Sequence, residues 1–128
     1  MGRLVTFRVI PPIEDGNSAQ SAQALRQAVL AVEGPSIVCA DLRQARTFSP
    51  ETTERFVALM RADNPKIERS ALLFEPRSAT LELQIERMVR EAQLPARRIF
   101  RERAPLEEWL AEALSADERA ALTQFLDG

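Results

Sequence analysis

Residues 36–42 read Ser-Ile-Val-Cys-Ala-Asp-Leu, a run of apolar side chains that is broken only by an aspartate near its end. A continuous run of this length, without alternation of polar and apolar residues, is typical of a strand that is buried on both faces. Helical patterns flank it on both sides, which predicts a strand in the middle of a parallel sheet. We predict that Asp41 organises the backbone of the following loop and does not act as a catalytic acid.

Strand-like and helical segments alternate around this central run. After Phe100 the pattern predicts two consecutive helices, one from near Pro105 and one that opens with a capping box from Ser115 to Glu118. The sequence therefore predicts one α/β domain over residues 1–128, with a sheet of four to five mostly parallel strands flanked by helices. The predicted strands are residues 3–10, 36–42, 69–75 and 96–101.

The composition limits the classes of partner that we expect. The chain has 128 residues, 45% of them hydrophobic and 28% charged, so it can bury its own core. Its net charge of −2 gives no general attraction to nucleic acid, and no stretch reaches the roughly 20 apolar residues that span a bilayer. We expect neither nucleic acid nor a membrane as partner. The single cysteine, Cys39, is expected to be buried and inert, and suits a cytoplasmic protein.

The side chains that most enzymes need are scarce in this sequence. Histidine, the commonest general base and metal ligand, does not occur, and there are only 4 glycines. The glycine-rich loops that cradle phosphates and the elbow that presents a nucleophilic serine are missing too. We therefore expect no catalytic activity, no metal and no cofactor. An enzyme that uses Asp41 or Glu51 is the weakest of the alternatives.

Several short motifs follow one another along the chain: Ala24–Val29 in a first helix, Asp41-Leu42 after the apolar strand, Leu72–Pro76 around the third strand, Ile99-Phe100, and Leu106–Leu110 in a later helix. Their order, with that of the segments, resembles the STAS domain of bacterial SpoIIAA-type anti-sigma-factor antagonists. The resemblance covers nearly the whole chain. It implies a non-catalytic protein-interaction module in bacterial signalling, with another protein as its partner. Related folds also hold apolar ligands, so a small-ligand or lipid-binding domain is the alternative.

One departure from the family pattern bears on regulation. Regulated members carry an Asp-Ser-Ser-Gly-like segment at the start of the second helix, with a serine that a partner kinase phosphorylates. The corresponding residues here are Ser49-Pro50-Glu51-Thr52. Ser49 followed by proline is typical of a helix N-cap, so we predict that this kinase switch is absent.

The candidate docking surface combines the loop after Asp41 with the first turn of the second helix. Loops at strand ends carry function while the scaffold holds them, and the resemblance to STAS proteins implies the same end. Arginines there can make charge-assisted hydrogen bonds. Two interpretations of Phe48 stay open: it is an exposed anchor for a partner, or it is a core residue beneath the helix. The candidate residues are Arg43, Arg46, Phe48, Ser49, Glu51, Thr52 and Thr53.

Overall fold

A computed structural model describes residues 2–11, 15–75 and 77–128, with side chains from Ser18 onward in the first helix. Pro76, expected to close the third strand, lies outside the described residues. A 3-10 turn, Asn64–Lys66, precedes the third strand. The strands in this part of the chain are β1 (Leu4–Arg8), β2 (Ser36–Asp41), β3 (Ile67–Leu73) and β4 (Arg97–Phe100). The helices are α1 (Asp15–Ala31), α2 (Pro50–Asp63), α3 (Ala79–Ala92), α4 (Arg103–Ala111) and α5 (Ala116–Asp127).

The strands form one parallel sheet in the order β1-β2-β3-β4. Val5 lies opposite Val38, and Val38 lies opposite Ser70, which in turn lies opposite Arg97. Over the described residues the α/β prediction is confirmed, with four strands, all parallel, and with two consecutive helices after the last strand. The strand order itself was not predictable from the sequence pattern.

The helices cover the two faces of the sheet unequally. The strands follow one another across the sheet in chain order, so every connection moves in the same direction. Right-handed connections between parallel strands then place α1, α2 and α3 on one face. Val38 and Ala40 of β2 face these helices, whereas Ile37 and Cys39 face α4 and α5. Both sets of side chains are covered, which is why the central run is apolar without alternation.

Serine side chains fix the first residue of three helices. Backbone N–H groups two or three residues into the helix donate to the serine hydroxyls, and this satisfies otherwise unpaired donors. The bonds run from Thr52 to Ser49 (3.1 Å), from Leu81 to Ser78 (3.3 Å) and from Glu118 to Ser115 (3.2 Å). The predicted N-cap at Ser49 and the predicted capping box at Ser115 are confirmed. The caps at Ser49 and Ser78 mark where the two loops at the carboxyl end of the sheet end and where α2 and α3 begin.

Candidate docking site

A polar cleft opens at the carboxyl end of the sheet, between the loop that follows β2 and the loop that joins β3 to α3. It encloses about 540 Å³. Ligands of open α/β sheets commonly bind outside the carboxyl ends of the strands. The lining residues are Pro11, the loop Arg43–Thr47, Glu75, Arg77, Ser78 and Leu81.

Asp41 accepts several hydrogen bonds that organise this end of the sheet. Its side chain is only 4% exposed, and it accepts hydrogen bonds from Arg8 Nε (3.0 Å) and from Arg43 Nε and Nη2 (3.0 and 2.9 Å). It also accepts from the backbone N–H of Arg43 at 3.0 Å, so its predicted role in organising the loop is confirmed. Burial raises the pKa of Asp41, but the bonds from Arg43 and Arg8 outweigh it and hold that pKa below its ordinary value.

The two arginines around Asp41 also hold the last turn of α5. Arg43 Nη2 donates to the carbonyl oxygen of Leu126 at 2.7 Å, and Arg8 donates to that of Phe125. The Arg8 guanidinium lies 4.4 Å from the centre of the Phe125 ring. Positive charges at a helix C-terminus satisfy its unpaired carbonyls and favour its dipole. Arg43 therefore lines the cleft with a guanidinium that already makes hydrogen bonds within the domain, so it has fewer donors left for a partner than expected.

Phe48 is a core residue. It is 7% exposed, and its ring centre lies 6.1 Å from that of Phe56. Gln84 of α3 holds its backbone: Oε1 accepts from the N–H of Phe48 at 3.0 Å, and Nε2 donates to its carbonyl at 2.8 Å. The exposed-anchor interpretation of Phe48 is therefore wrong, and the core interpretation is right.

Sequence reasoning missed Gln84, although a signal was present. The residue lies three positions after Leu81 and four before Met88, both of them buried on the inner side of α3. A glutamine on such a stripe needs hydrogen-bond partners inside the protein. What the pattern did not show is that the partner is the backbone of a loop 36 residues away.

The first turn of α2 offers less to a partner than expected. Thr52 is fully buried, and Thr53 Oγ1 is buried without a hydrogen-bond partner in the described part of the chain. Ser49 is partly covered and caps the helix. Glu51 is 61% exposed and pairs with Arg55. Of the residues predicted in this turn, Glu51 alone presents an exposed charge.

Two exposed arginines remain at the cleft. Arg46 is exposed, and no carboxylate among the described residues lies within ion-pair distance of it. Arg77, which sequence reasoning did not single out, lines the cleft from the β3–α3 side with its side chain 70% exposed. Its partner is Glu75, two residues away and 44% exposed. Exposed pairs of this kind contribute little to stability, so Arg77 can exchange partners at small cost.

The other arginine-rich region, around β4, is engaged in contacts within the domain. Arg97 is 6% exposed and donates to Asn64 Oδ1 at 2.9 Å, and burial lowers its pKa to about 10. Arg98 lies 4.7 Å from the centre of the Trp109 ring. Arg101 bonds to Glu82. These contacts make β4 a poorer docking face than the cleft.

Two cavities of the described structure are lined mainly by apolar side chains, and both are small. They enclose about 40 and 50 Å³, against roughly 300–1,000 Å³ for typical ligand pockets. Cys39 is fully buried, and burial raises the pKa of its thiol to about 12, which disfavours the nucleophilic thiolate. The residues described contain no cluster of three or more acidic or cysteine side chains that would hold a metal ion. Nor is any described helix both long and apolar enough to cross a membrane.

Comparison of the chain with protein-family models, with curated proteins and with solved structures finds no match. The resemblance to STAS domains therefore rests on the order of the elements and on the short motifs alone. Function has to be argued from the geometry of the site.

Proposed function

We propose that this domain is a non-catalytic protein-binding module, with a docking site at the carboxyl end of its sheet. The observation that carries the proposal is the construction of the loop between Asp41 and Ser49. Asp41 and Gln84 hold its backbone at two points, while Gln44, Arg46 and Thr47 point outward and are exposed. A rigid loop with exposed polar side chains loses little conformational freedom when it binds.

The strand order favours a broad partner over a small ligand. Deep crevices in open α/β sheets form where neighbouring loops diverge to opposite faces of the sheet. Here α1, α2 and α3 all lie on one face, so the loops that lead into α2 and α3 leave the sheet in the same direction. The cleft between them is open. A buried apolar ligand or lipid, the alternative, receives less support, because the two apolar cavities in the described structure are small.

We further propose that the module is of STAS type and acts like an anti-sigma-factor antagonist in the bacterial cytoplasm, without the family's kinase switch. The order of the elements and the two C-terminal helices support the first part. The cap at Ser49 supports the second, since its hydroxyl oxygen accepts the N–H of Thr52. The segment Ser49-Pro50-Glu51-Thr52 also lacks the Asp-Ser pair of the regulated members.

Site-specific photo-cross-linking tests the docking site even while the partner is unidentified. A photoreactive amino acid replaces Gln44 or Glu51 at the site, or Gln124 on the exposed side of α5 as a matched control. We expect a discrete protein adduct from the first two positions and none from the control, in the cells that produce the protein. Excess unlabelled domain should compete the adduct away. Adducts confined to position 124, or none at either site position, would contradict the proposal.

A further inference from the structure

The side chains around the cleft carry an excess of positive charge. Among the described residues, three arginines line it against one glutamate, in a chain whose net charge is −2. Asp41 neutralises one of them, Arg43, and Arg8 in turn shares that aspartate. Glu75 pairs with Arg77, so the charge left without a carboxylate among the described residues is that of Arg46, and Arg77 on the other wall joins it when it leaves its exposed partner.

We propose that the cleft recognises an acidic segment of a protein partner, with Arg46 and Arg77 as its two carboxylate-binding residues. This inference rests on the proposed docking function. The planar fork of an arginine matches a carboxylate with two parallel hydrogen bonds, and one such residue on each wall suits a segment with several acidic side chains. Thr47 and Gln44 add a hydroxyl and an amide to the lining.

Two features favour a peptide over an isolated anion or a nucleic acid. Ile10 is 61% exposed and adjoins Pro11 on the cleft wall, so an apolar contact is available next to the charges. Two exposed arginines beside Glu75 cannot neutralise the run of phosphates on which nucleic-acid affinity depends. A short acidic segment fits this charge and this open shape.

The charge pattern also predicts how binding should respond to conditions. Both arginines are exposed, so their attraction to carboxylates is screened as salt increases. Arg77 must leave Glu75 to bind, which costs little because that pair is exposed. Affinity for an acidic peptide should therefore be modest and should fall steadily with ionic strength.

A titration of the isotope-labelled domain with hexaglutamate tests the proposal, with hexaglutamine as the neutral control. We expect the amide NMR signals of Arg46, Thr47 and Arg77 to shift with the first peptide and not with the second. The double variant Arg46→Gln/Arg77→Gln should weaken hexaglutamate binding at least tenfold, about 1.4 kcal/mol. Arg87→Gln is the matched control, because Arg87 is 66% exposed, does not line the cleft and pairs in the described structure with its helix neighbour Glu91. This control variant should leave the affinity for hexaglutamate unchanged. Urea unfolding should show that the double variant and the control are as stable as the parent.

Three results would overturn the acidic-segment proposal: no shifts at the cleft, equal weakening by Arg87→Gln, or inorganic phosphate as effective as hexaglutamate. The last would mean that the cleft attracts any anion. Cross-links at Gln44 with no hexaglutamate binding would keep the docking function and remove the acidic partner. Hexaglutamate binding with cross-links confined to position 124 would keep the acidic preference and remove the proposed docking function.

Discussion

Two buried aspartates at opposite ends of the sheet have pKa values that move in opposite directions. Asp41 accepts three side-chain bonds and one backbone bond, and its pKa lies below the ordinary value. Asp63, at the end of α2, is buried to the same degree but accepts one bond, from Arg26 at 2.8 Å. Burial raises the pKa of Asp63 above its ordinary value, and the nearby charges of Arg26 and Arg97 offset this only in part. Arg97 donates instead to Asn64.

The comparison shows that hydrogen bonds decide the state of these carboxylates, and that nearby positive charge alone does not. A carboxylate with most of its lone pairs satisfied can be buried and still favour the charged form. At the carboxyl end, the hydrogen-bonded carboxylate of Asp41 holds the start of the loop 43–48 in place. At the amino end burial disfavours the charged form of Asp63 and raises its pKa. The proposed docking site lies at the better-satisfied end.

The largest expected effect comes from removing each carboxylate in turn. Asp41→Ala should lower the free energy of unfolding by about 3 kcal/mol, because it leaves two partly buried arginines and a backbone N–H without their acceptor. Asp63→Ala should cost less, about 1.5 kcal/mol, since it removes one hydrogen bond and a carboxylate near buried Arg97 but also relieves the burial of a poorly satisfied charge. Urea unfolding at neutral pH measures both.

Asp127→Ala is the control for these truncations, because Asp127 is 64% exposed and pairs with Arg103 at the same end of the molecule. It should change stability by less than about 1 kcal/mol. Equal losses for Asp41→Ala and Asp63→Ala would show that the number of hydrogen bonds does not distinguish the two sites.

A smaller effect is expected at the second anchor of the loop. Gln84→Ala removes both bonds to the Phe48 backbone and should cost about 1–2 kcal/mol, although alanine is the better helix former. Exchange of the Phe48 amide hydrogen should accelerate at least about tenfold, which separates the anchoring by Gln84 from that by Asp41. Gln124→Ala, on the exposed side of α5, should change neither quantity. Unchanged exchange at Phe48 in Gln84→Ala would mean that Asp41 alone fixes the loop.

The smallest effect is expected from pH, because titration removes a charge without removing atoms. The folded pKa of Asp41 lies below its ordinary value of 3.8, so its stabilisation is present above that value and is lost as the pH falls through the folded pKa. The folded pKa of Asp63 lies above 3.8, so the stability cost of its charge disappears as the pH falls toward that value.

Unfolding free energies from about pH 7 to pH 3 for the parent, Asp41→Asn and Asp63→Asn separate the two contributions. As the pH falls, the stability of the parent should rise relative to that of Asp63→Asn. At the acidic end of the range, the stability of the parent should fall relative to that of Asp41→Asn. The same sign for both differences would contradict the opposite pKa shifts.

Local sequence patterns predicted the elements of this fold well, and the partners of individual side chains poorly. The caps at Ser49 and Ser115 depend on residues three positions apart, so the sequence displays them directly. The role of Asp41 toward the next loop is local in the same way. Arg43, by contrast, donates to the carbonyl of Leu126, 83 residues further on. No periodicity within one element contains that information.

The sequence by itself determined an α/β chain with a central buried strand, a capped helix after it and two helices at the end. Those features follow from short-range rules: apolar runs, helical spacing, and serines that satisfy nearby N–H groups. Only the tertiary structure decided that Phe48 turns into the core, that Arg43 bonds to α5, and that Arg46 and Arg77 line the same open cleft. The physical reason is that a side chain's exposure depends on which elements pack above it, and that is set by strand order and by the faces on which the helices lie.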